Sequence, residues 1–415
     1  MLKEFRTKPK FINIKEANKI IFEIMFFWDY ELNNKTKDSL LERMILINSC
    51  KYKTNQEFMI RKDELFIIQY SAMINYYANK TCLTISFTIP KEKLIYNYSI
   101  QDCLEFIYDG IFNVYAVNGK FDEEVLNHEK RFTYEMMKNY PSNIYDIMHK
   151  ERNDAINSIE KVHLTREEVL KNLDNISAEN LYKYYEKNVK NNKYITYIYG
   201  NLEDKDKISS LYNKCFKQKN QKLLLNIDYY RPLKIDKYEQ KIINVENEQS
   251  ILKLIYQFKK LNSENMFLLE MLYFFLNSRE NDLVLNTLRN KYHIVYEASA
   301  SMNTNGILEI DAYLDKKDVL KAKELINEIF DDIKIEVNFD KYKKRLLKAL
   351  KYDIYFERDS IYYIAKKTIS REIVIYSNLE KKYDLIRKVS YEEMKDFIDS
   401  SILAREILMI GEKNV

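Results

Sequence analysis

The sequence predicts an α+β protein of two tandem homologous lobes, each a mostly antiparallel sheet packed with helices. The main observation is internal similarity, since Ser177 and Ser390 each stand at the N-cap position of a predicted helix. An apolar strand follows each helix and ends at a glycine, Gly200 in the first copy and Gly411 in the second. The two serines are 213 residues apart (390 minus 177) and the two glycines are 211 apart (411 minus 200). Two diverged copies of one unit explain a repeat of this length.

The same repeat divides the chain. Phe121 and Phe339, each followed by an aspartate, open predicted amphipathic helices at an offset of 218 residues (339 minus 121). Residues 217–238 begin with a polar run and later contain a proline, so we interpret them as the linker between an N-terminal lobe, 1–216, and a C-terminal lobe, 239–415. Strands and helices are grouped within each lobe without strict alternation, which favours the α+β class over a parallel sheet.

The elements of the N-terminal lobe follow from hydrophobic periodicity. The apolar run from Ile20 to Trp28 contains Glu23 and falls far short of the ~20 residues that a membrane span needs, so we predict a core strand. Asp38 or Ser39 is the predicted cap of the first helix. Strands are predicted at 11–14, 19–28, 81–89 and 194–199, and helices at 38–46, 102–112, 121–138 and after Ser177, with helical and loop character over 151–171.

The C-terminal lobe repeats this order. Strands are predicted at 250–258, 306–314 and 407–410, and helices at 264–277, 319–333, 340–356 and after Ser390.

Composition excludes several classes of function. Hydrophobic residues make up 46% of the chain, which is incompatible with a disordered protein. The 67 basic and 63 acidic residues leave a net charge of only +4, so nucleic acid is not the expected partner. None of the five glycines forms a phosphate-binding loop of the GxGxxG or GxxxxGK[ST] kind.

Cysteine usage and the N-terminus predict a cytoplasmic protein without a membrane segment. The four cysteines are widely spaced, with no CxxC pair, as in a reduced cytosolic chain. The first residues lack the basic-then-apolar pattern of a signal peptide.

The first predicted helix carries Ser39, Glu42 and Arg43 in the pattern SxxER. Read from the residues alone, Glu42 and Arg43 are a charged pair on the polar side of an amphipathic helix. The place of this helix in a duplicated chain resembles the insulinase, pitrilysin and mitochondrial processing peptidase family. Its members carry HxxEH here, with two histidines on one helix face gripping Zn²⁺ and a glutamate that activates the bound water. We call positions 39, 42 and 43 the metal slot; Ser39 and Arg43 replace both histidines.

The resemblance also implies a third zinc ligand, a glutamate on a later helix. The matching helix contains Glu129 followed by a lysine, and the family spacing from Glu129 falls on Met136, one residue beyond Glu135. The third ligand is therefore absent or out of register. No pair of the four histidines has i,i+4 spacing, so we expect this chain to hold no zinc, with the metal in a partner subunit.

A second segment of the resemblance lies in the C-terminal lobe, where the family has a pattern similar to LRExxGLAY. Arg289 and Tyr296 match its Arg and Tyr seven residues apart, whereas Asn290 replaces Glu and His293-Ile294 replaces Gly-Leu. The resemblance implies that Arg289 and Tyr296 bind the substrate carbonyl and stabilise the oxyanion. The alternative is a helix-end arginine and a packed strand tyrosine.

Together these features resemble the subunit of a bacterial two-chain peptidase that lacks HxxEH and complements an HxxEH-bearing partner. Heterodimers of this type are linked to the trimming of leader or precursor peptides, including modified peptides and bacteriocins. The strand 81–89 is a candidate edge for an extended peptide, or else an ordinary sheet strand. The alternative function is a non-enzymatic scaffold or peptide-binding relative.

Overall fold

The computed structural model describes residues 2–91, 99–217, 220–234, 237–278, 281–369 and 378–412. Residues 218, 219, 235 and 236 of the predicted linker lie outside this part of the chain. Within the described residues, no helix combines the length and the apolar character needed to cross a membrane.

The first half of the chain forms a five-stranded sheet, sheet 1, covered by helices. The strands of this half are β1 (Leu2–Arg6), β2 (Lys10–Asn13), β3 (Lys19–Asp29), β4 (Gln69–Tyr76), β5 (Lys80–Pro90), β6 (Ala116–Val117), β7 (Lys120–Phe121), β8 (Tyr194–Gly200) and β9 (Lys222–Asn226), of which β1 pairs with β9 and β6 pairs with β7 outside sheet 1. Its helices are α1 (Lys35–Met44), α2 (Asn55–Glu64), α3 (Ile100–Phe112), α4 (Glu123–Lys138), α5 (Ile144–Asn157), α6 (Arg166–Asn175), α7 (Ala178–Tyr185) and α8 (Lys205–Phe216). Sheet 1 has the order β2-β8-β3-β5-β4, in which only β2 and β8 run parallel.

The second half forms sheet 2 with the same connections. Its strands are β10 (Glu239–Val245), β11 (Ser250–Phe258), β12 (Val295–Met302), β13 (Ile307–Leu314) and β14 (Ser401–Gly411). Its helices are α9 (Met266–Leu276), α10 (Leu283–Leu285), α11 (Val319–Ile333), α12 (Glu336–Glu357), α13 (Ile361–Ile369), α14 (Leu379–Lys388) and α15 (Tyr391–Asp399). The order β10-β14-β11-β13-β12, again with one parallel pair, confirms two homologous α+β lobes with mostly antiparallel sheets.

Local sequence explains the helix starts in both halves. Ser177 accepts a hydrogen bond from Asn180 N–H, and Ser390 accepts one from Glu393 N–H, as the repeat predicts. Asp122 likewise caps α4, but the prediction that Phe339 opens the matching helix is wrong, since α12 begins at Glu336. With the observed starts the offset is 213 (336 minus 123), the same as between the two serines.

Each five-stranded sheet buries one face against its own helices. In β3 the alternate residues Ile20, Phe22, Ile24 and Phe26 join the core of the first half, because successive strand side chains point to opposite faces. In β11, residues Leu252, Leu254 and Tyr256 do the same in the second half.

The outer face of sheet 2 is covered by α5, although α5 comes from the first half of the sequence. Met148 and Ile156 of α5 belong to one buried cluster with side chains of β11, β13 and β14, among them Ile251, Ile307 and Ile407. Along the chain, residues 141–163, 229–358 and 378–412 accordingly form one compact unit, unit 2.

The outer face of sheet 1 receives α13 in the same way. Tyr362 of α13 donates a hydrogen bond to Gln69 Oε1 at 2.9 Å, and its ring contacts that of Tyr199 at 6.5 Å between centroids. Residues 2–140, 164–228 and 359–369 form the other compact unit, unit 1. These units differ from the linear division at 217–238 in two segments, 141–163 and 359–369. Part of the predicted linker is also a strand, since β9 pairs antiparallel with β1.

Candidate functional site

The helix α1, which carries the metal slot, is anchored by Leu40, Leu41 and Met44. Each of these side chains is at most 1% exposed. This anchoring leaves Ser39 exposed and Glu42 half-buried on the other side of the helix. The structure places α1 in unit 1 beside α4 and the edge strand β4, where the resemblance predicts the metal slot.

The prediction that Asp38 or Ser39 caps α1 is wrong, because the N-cap of this helix is Asn34, four residues before Asp38. Asp38 is instead completely buried within the first turn, and its Oδ1 accepts a hydrogen bond from Tyr184 Oη at 2.7 Å. Burial raises the pKa of the Asp38 carboxyl to about 6, and the contact with Tyr184 opposes this shift. No pattern in the sequence indicated this buried acid, since aspartate is common at helix starts.

Arg43 is held in the metal slot by α4. Its Nη2 donates a hydrogen bond to Thr133 Oγ1 at 2.6 Å, and its Nε lies 3.5 Å from Glu129 Oε2. The guanidinium also lies 5.6 Å from the ring centroid of Phe132. A fixed positive charge with three neighbours therefore occupies the position of the second histidine, because arginine stays protonated at any physiological pH. Sequence reasoning missed Thr133, which its spacing of one helical turn from Glu129 could have indicated.

The slot residues do not fit zinc. A catalytic zinc site needs about three protein ligands, drawn from His, Cys, Asp and Glu, whereas Ser39 and Arg43 supply neither histidine. Glu135 is exposed, and at about 100° per residue it is turned away from the face of α4 that carries Glu129 and Thr133. No group of three or more His, Cys, Asp or Glu able to hold a metal occurs among the described residues.

Glu42, at the position of the family's catalytic base, contacts the sheet edge. Its Oε2 accepts a hydrogen bond from Ile74 N–H of β4 at 3.2 Å. Burial raises the pKa of Glu42, while the bond from Ile74 and the charge of Arg43 lower it. Glu42 thus caps one donor on a strand edge that no other described strand pairs with.

The edge of sheet 1 is β4, and the prediction that the strand 81–89 is an exposed edge is wrong. The structure pairs β5 on both sides, with β3 and with β4. Because N–H and C=O of one residue point to the same side and alternate along a strand, the backbone groups of Tyr70, Ala72 and Tyr76 share the free edge with Ile74. The sequence signal for β4 was weak, since no residue of this strand is fully buried.

Arg289 and Tyr296 lie in unit 2 on either side of a tight bend. Arg289 is exposed in a π-helical turn, Asn286–Lys291, and His293 adopts the left-handed conformation with φ of 56°. Glycine adopts this conformation most readily, and the family pattern LRExxGLAY has glycine at the position of His293. Tyr296 is an unpaired bulge residue on the edge strand β12, and its Oη donates to Asp315 Oδ1 at 3.0 Å. That bond raises the pKa of the Tyr296 hydroxyl.

Residues 175–346 match the family described as the peptidase M16 inactive domain. No curated relative matches the sequence. A conserved protein from Enterococcus faecalis V583 has a similar structure, with 17% identity, a TM-score of 0.78, and coverage of 98% of this chain and 97% of that one.

Two further solved structures have the same fold over nearly their whole length. A protease from Helicobacter pylori has 12% identity and a TM-score of 0.68, with coverage of 97% of this chain and 96% of that one. The peptidase M16 inactive domain from Pseudomonas fluorescens has 11% identity and a TM-score of 0.68, with coverage of 97% and 95%. Residues 175–346 therefore resemble the peptidase M16 inactive domain, and the chain as a whole shares the fold of these three solved structures.

Proposed function

We propose that this chain is the subunit of a two-chain M16-like peptidase that holds no zinc and complements an HxxEH-bearing homologue. The observation that carries this proposal is the bonding of Arg43 to Thr133 and Glu129, which fills the metal slot with a fixed cation. The match of residues 175–346 to an inactive-domain family supports the same division of labour. The substrates that we propose are leader or precursor peptides. We place the complex in the cytoplasm, where its four free thiols would stay reduced.

Peptide binding is the contribution that we assign to unit 1. An extended peptide can add to the free edge of β4 through backbone hydrogen bonds, as in other proteins with an exposed sheet edge. Glu42 already accepts the Ile74 N–H, so an incoming strand has to displace this carboxylate. Replacing Glu42 by alanine should therefore leave peptide affinity unchanged or increase it.

Arg289 and Tyr296 are the groups through which we propose that unit 2 acts on the partner's substrate. A cationic and a phenolic donor can stabilise the negative charge that develops on a carbonyl oxygen. Arg289 is exposed and so can reach a partner. Tyr296 Oη first has to leave Asp315 Oδ1, which is its acceptor in this structure.

A scaffold or peptide-binding protein without catalytic role is the second candidate. The bond between Tyr296 and Asp315 favours it, because a phenolic hydroxyl that stays bound to a carboxylate cannot donate to a substrate. The effect of an Asp315 substitution on kcat therefore distinguishes the subunit function from the scaffold function.

The test co-expresses this chain with the HxxEH-bearing two-lobed protein of the same genome and assays cleavage of a fluorogenic peptide library. Arg289→Ala and Tyr296→Phe should each lower kcat by ~10²–10³, the usual effect of losing one oxyanion donor. A rise in KM with unchanged kcat would instead assign the pair to ground-state binding. Tyr292→Phe, on the same bend, is the matched control and should cleave normally.

Further outcomes test the subunit proposal and the scaffold alternative. The chain alone should contain no stoichiometric zinc and cleave nothing, and the complex should assemble at micromolar concentration. Asp315→Asn should maintain or raise kcat if Tyr296 must be released. Wild-type rates for both Arg289→Ala and Tyr296→Phe in an intact complex would assign this chain to the scaffold function. Failure to associate with the HxxEH homologue would contradict the subunit proposal itself.

A further inference from the structure

A cavity of about 300 Å³ lies in unit 1, away from the metal slot, where α3 and α8 end and β8 begins. Its floor is made of four aromatic rings, from Tyr108, Phe112, Tyr194 and Phe216. The rings contact one another, with centroids 5.0 Å apart for Tyr108 and Phe112 and 5.4 Å apart for Phe112 and Tyr194. Three of the four side chains are at most 8% exposed, so the floor is fixed by packing.

The rim of this cavity carries Lys190, Lys193 and Lys217, and none of the ten described residues that line it is an Asp or a Glu. Lys190 is compensated, since its Nζ contacts Glu186 at 3.1 Å and Tyr182 Oη at 3.0 Å. Lys193 Nζ contacts only a neutral acceptor, the backbone carbonyl of Lys222 at 3.4 Å, among the interactions of the described residues.

The positions of two of these three lysines are explained by nearby helix ends. Lys190 closes a π-helical turn and Lys217 is the C-cap of α8, and cations are favourable beside the negative end of a helix. Lys193, however, lies beyond the turn and directly before β8, where no helix end accounts for it. Among the described residues, the rim therefore has more positive charge than its neighbours neutralise.

We propose that this cavity, which we call the aromatic-lysine cavity, binds a small aromatic carboxylate. The ring of such a ligand packs on the floor formed by Phe112, Tyr194 and Phe216, since aromatic pairs gain energy beyond their buried area. Its carboxylate meets the ammonium groups of Lys193 and Lys217, and charge-assisted hydrogen bonds are the stronger kind. A volume of about 300 Å³ has room for one substituted ring, not for a folded peptide. The inference is independent of the proposed peptidase role.

Calorimetric titration of the full chain with three probes of one shape tests the ligand class. The probes are 3-phenylpropionate, its neutral amide and the cationic 3-phenylpropan-1-amine. The carboxylate should bind at least ~10-fold more tightly than the amide, the effect of a charged over a neutral acceptor, and the amine should not bind. Absence of saturable binding of the carboxylate at millimolar concentration, or equal binding of all three probes, overturns the proposal.

Variants locate the site. Lys193→Ala and Lys217→Ala should each weaken carboxylate binding by ~10-fold with little change in amide binding. Lys187→Ala is the matched control, because this exposed lysine lies in the same turn as Lys190 but lines a different cavity. It should bind like the wild type. Equal losses of carboxylate affinity in Lys187→Ala and Lys193→Ala would show that binding depends only on general surface charge, and this would overturn the proposed site. Thermal melting of each variant shows whether a loss of carboxylate binding results from a destabilised helix end instead.

Discussion

Arg43 replaces a metal ion by a network of ordinary side-chain contacts. Zinc would join two helices through charge and ligand geometry, whereas here α1 and α4 are joined by a guanidinium that contacts Glu129 and Thr133. Such a half-buried pair needs no cofactor, yet it depends on arginine, because lysine lacks the planar fork that serves two acceptors at once.

Reconstitution of zinc binding should therefore require three changes. Ser39→His with Arg43→His supplies two ligands on one helix face, and we expect no stoichiometric zinc from this double variant because Glu135 points elsewhere. Adding Met136→Glu, on the face of Glu129, should give about one zinc per chain by elemental analysis. Stoichiometric zinc in the double variant, or none in a folded triple variant, would contradict the register inferred for α4.

Asp38 makes stability depend on pH in a predictable direction. Its pKa is raised to about 6 in the folded chain, above the ordinary value of 3.8. The stability that it contributes is present below pH ~4 and is lost as the pH rises through about 6. Asp38→Asn keeps an acceptor for Tyr184 and should stabilise the chain at pH 8 by roughly 2–3 kcal/mol, from about two pKa units.

Urea unfolding at pH 4 and pH 8 measures this difference. The gain should shrink at pH 4, and Asp63→Asn, at an exposed site, should behave like the wild type at both values. A destabilised Asp38→Asn protein at pH 8 would mean that the buried carboxylate is held ionised by groups around it.

At the residue scale the sequence revealed substitutions but not partners. The motif comparison identified Ser39 and Arg43 as departures from a zinc site. It could not show that Arg43 reaches Thr133, 90 residues away, since this depends on the packing of two helices. Asp38 was misjudged as a cap for a related reason, because the same residue type serves exposed helix starts and buried hydrogen bonds.

Secondary-structure elements were predicted best where the hydrophobic period is strong. α11 has the predicted bounds of Val319–Ile333, and β3 differs from its prediction by one residue. The start of α12 was missed because Ile335, its N-cap, offers no side-chain acceptor, while Asp340 looks like a cap. The edge strand β4, with only half-buried and exposed residues, gave too little contrast to be recognised.

Buried ion pairs join α5 to sheet 2 in addition to the apolar contacts of Met148 and Ile156. Arg152 Nε lies 3.0 and 3.2 Å from the two carboxylate oxygens of Glu309, and Lys253 Nζ lies 3.2 Å from Glu309 Oε2. Burial alone would raise the pKa of Glu309, but Arg152 and Lys253 outweigh it, and the pKa lies below the usual 4.5. This stabilising contribution is present above pH ~4.5 and is lost as the pH falls through the lowered pKa.

Arg152→Ala should therefore destabilise the chain by about 3–5 kcal/mol, because removing one partner of a buried ion pair leaves the other charge uncompensated. The paired change Arg152→Met with Glu309→Met should recover most of this loss, because apolar residues of similar size replace buried ions without an uncompensated charge. Urea unfolding measures both. Lys183→Ala, which breaks an exposed pair with Glu179, should change the stability far less than Arg152→Ala does. An equally small cost for Arg152→Ala would contradict the role assigned to the pair.

At the scale of the whole molecule, the repeat predicted the lobes 1–216 and 239–415, whereas the compact units exchange residues 141–163 and 359–369 between these halves. Periodicity shows that α5 has an apolar face and cannot show which sheet will cover it. The chain crosses between the two units at 140–141, 163–164 and 228–229, and again after 358. A fragment that ends at the predicted linker therefore contains α5 without the sheet that buries Met148 and Ile156.

Two fragments cut at residue 229 should fold together and not singly. Each should be largely unfolded by circular dichroism when alone, because sheet 2 lacks α5 and sheet 1 lacks α13. Mixing them should restore a stable 1:1 complex, detected by light scattering. We call α5 and α13 the crossing helices, because each covers the sheet of the other half of the chain. A cooperative unfolding transition in either isolated fragment would show that the crossing helices are dispensable.

The crossing helices also bear on the ancestry of the fold. Two copies that each lend one helix to the other's sheet have the arrangement of a domain-swapped homodimer whose subunits became joined end to end. In such a lineage the symmetric pair came first and gene fusion later, and fusion freed each half to diverge. A gene shortened to a single repeat would accordingly encode a chain that must pair with its own copy to fold.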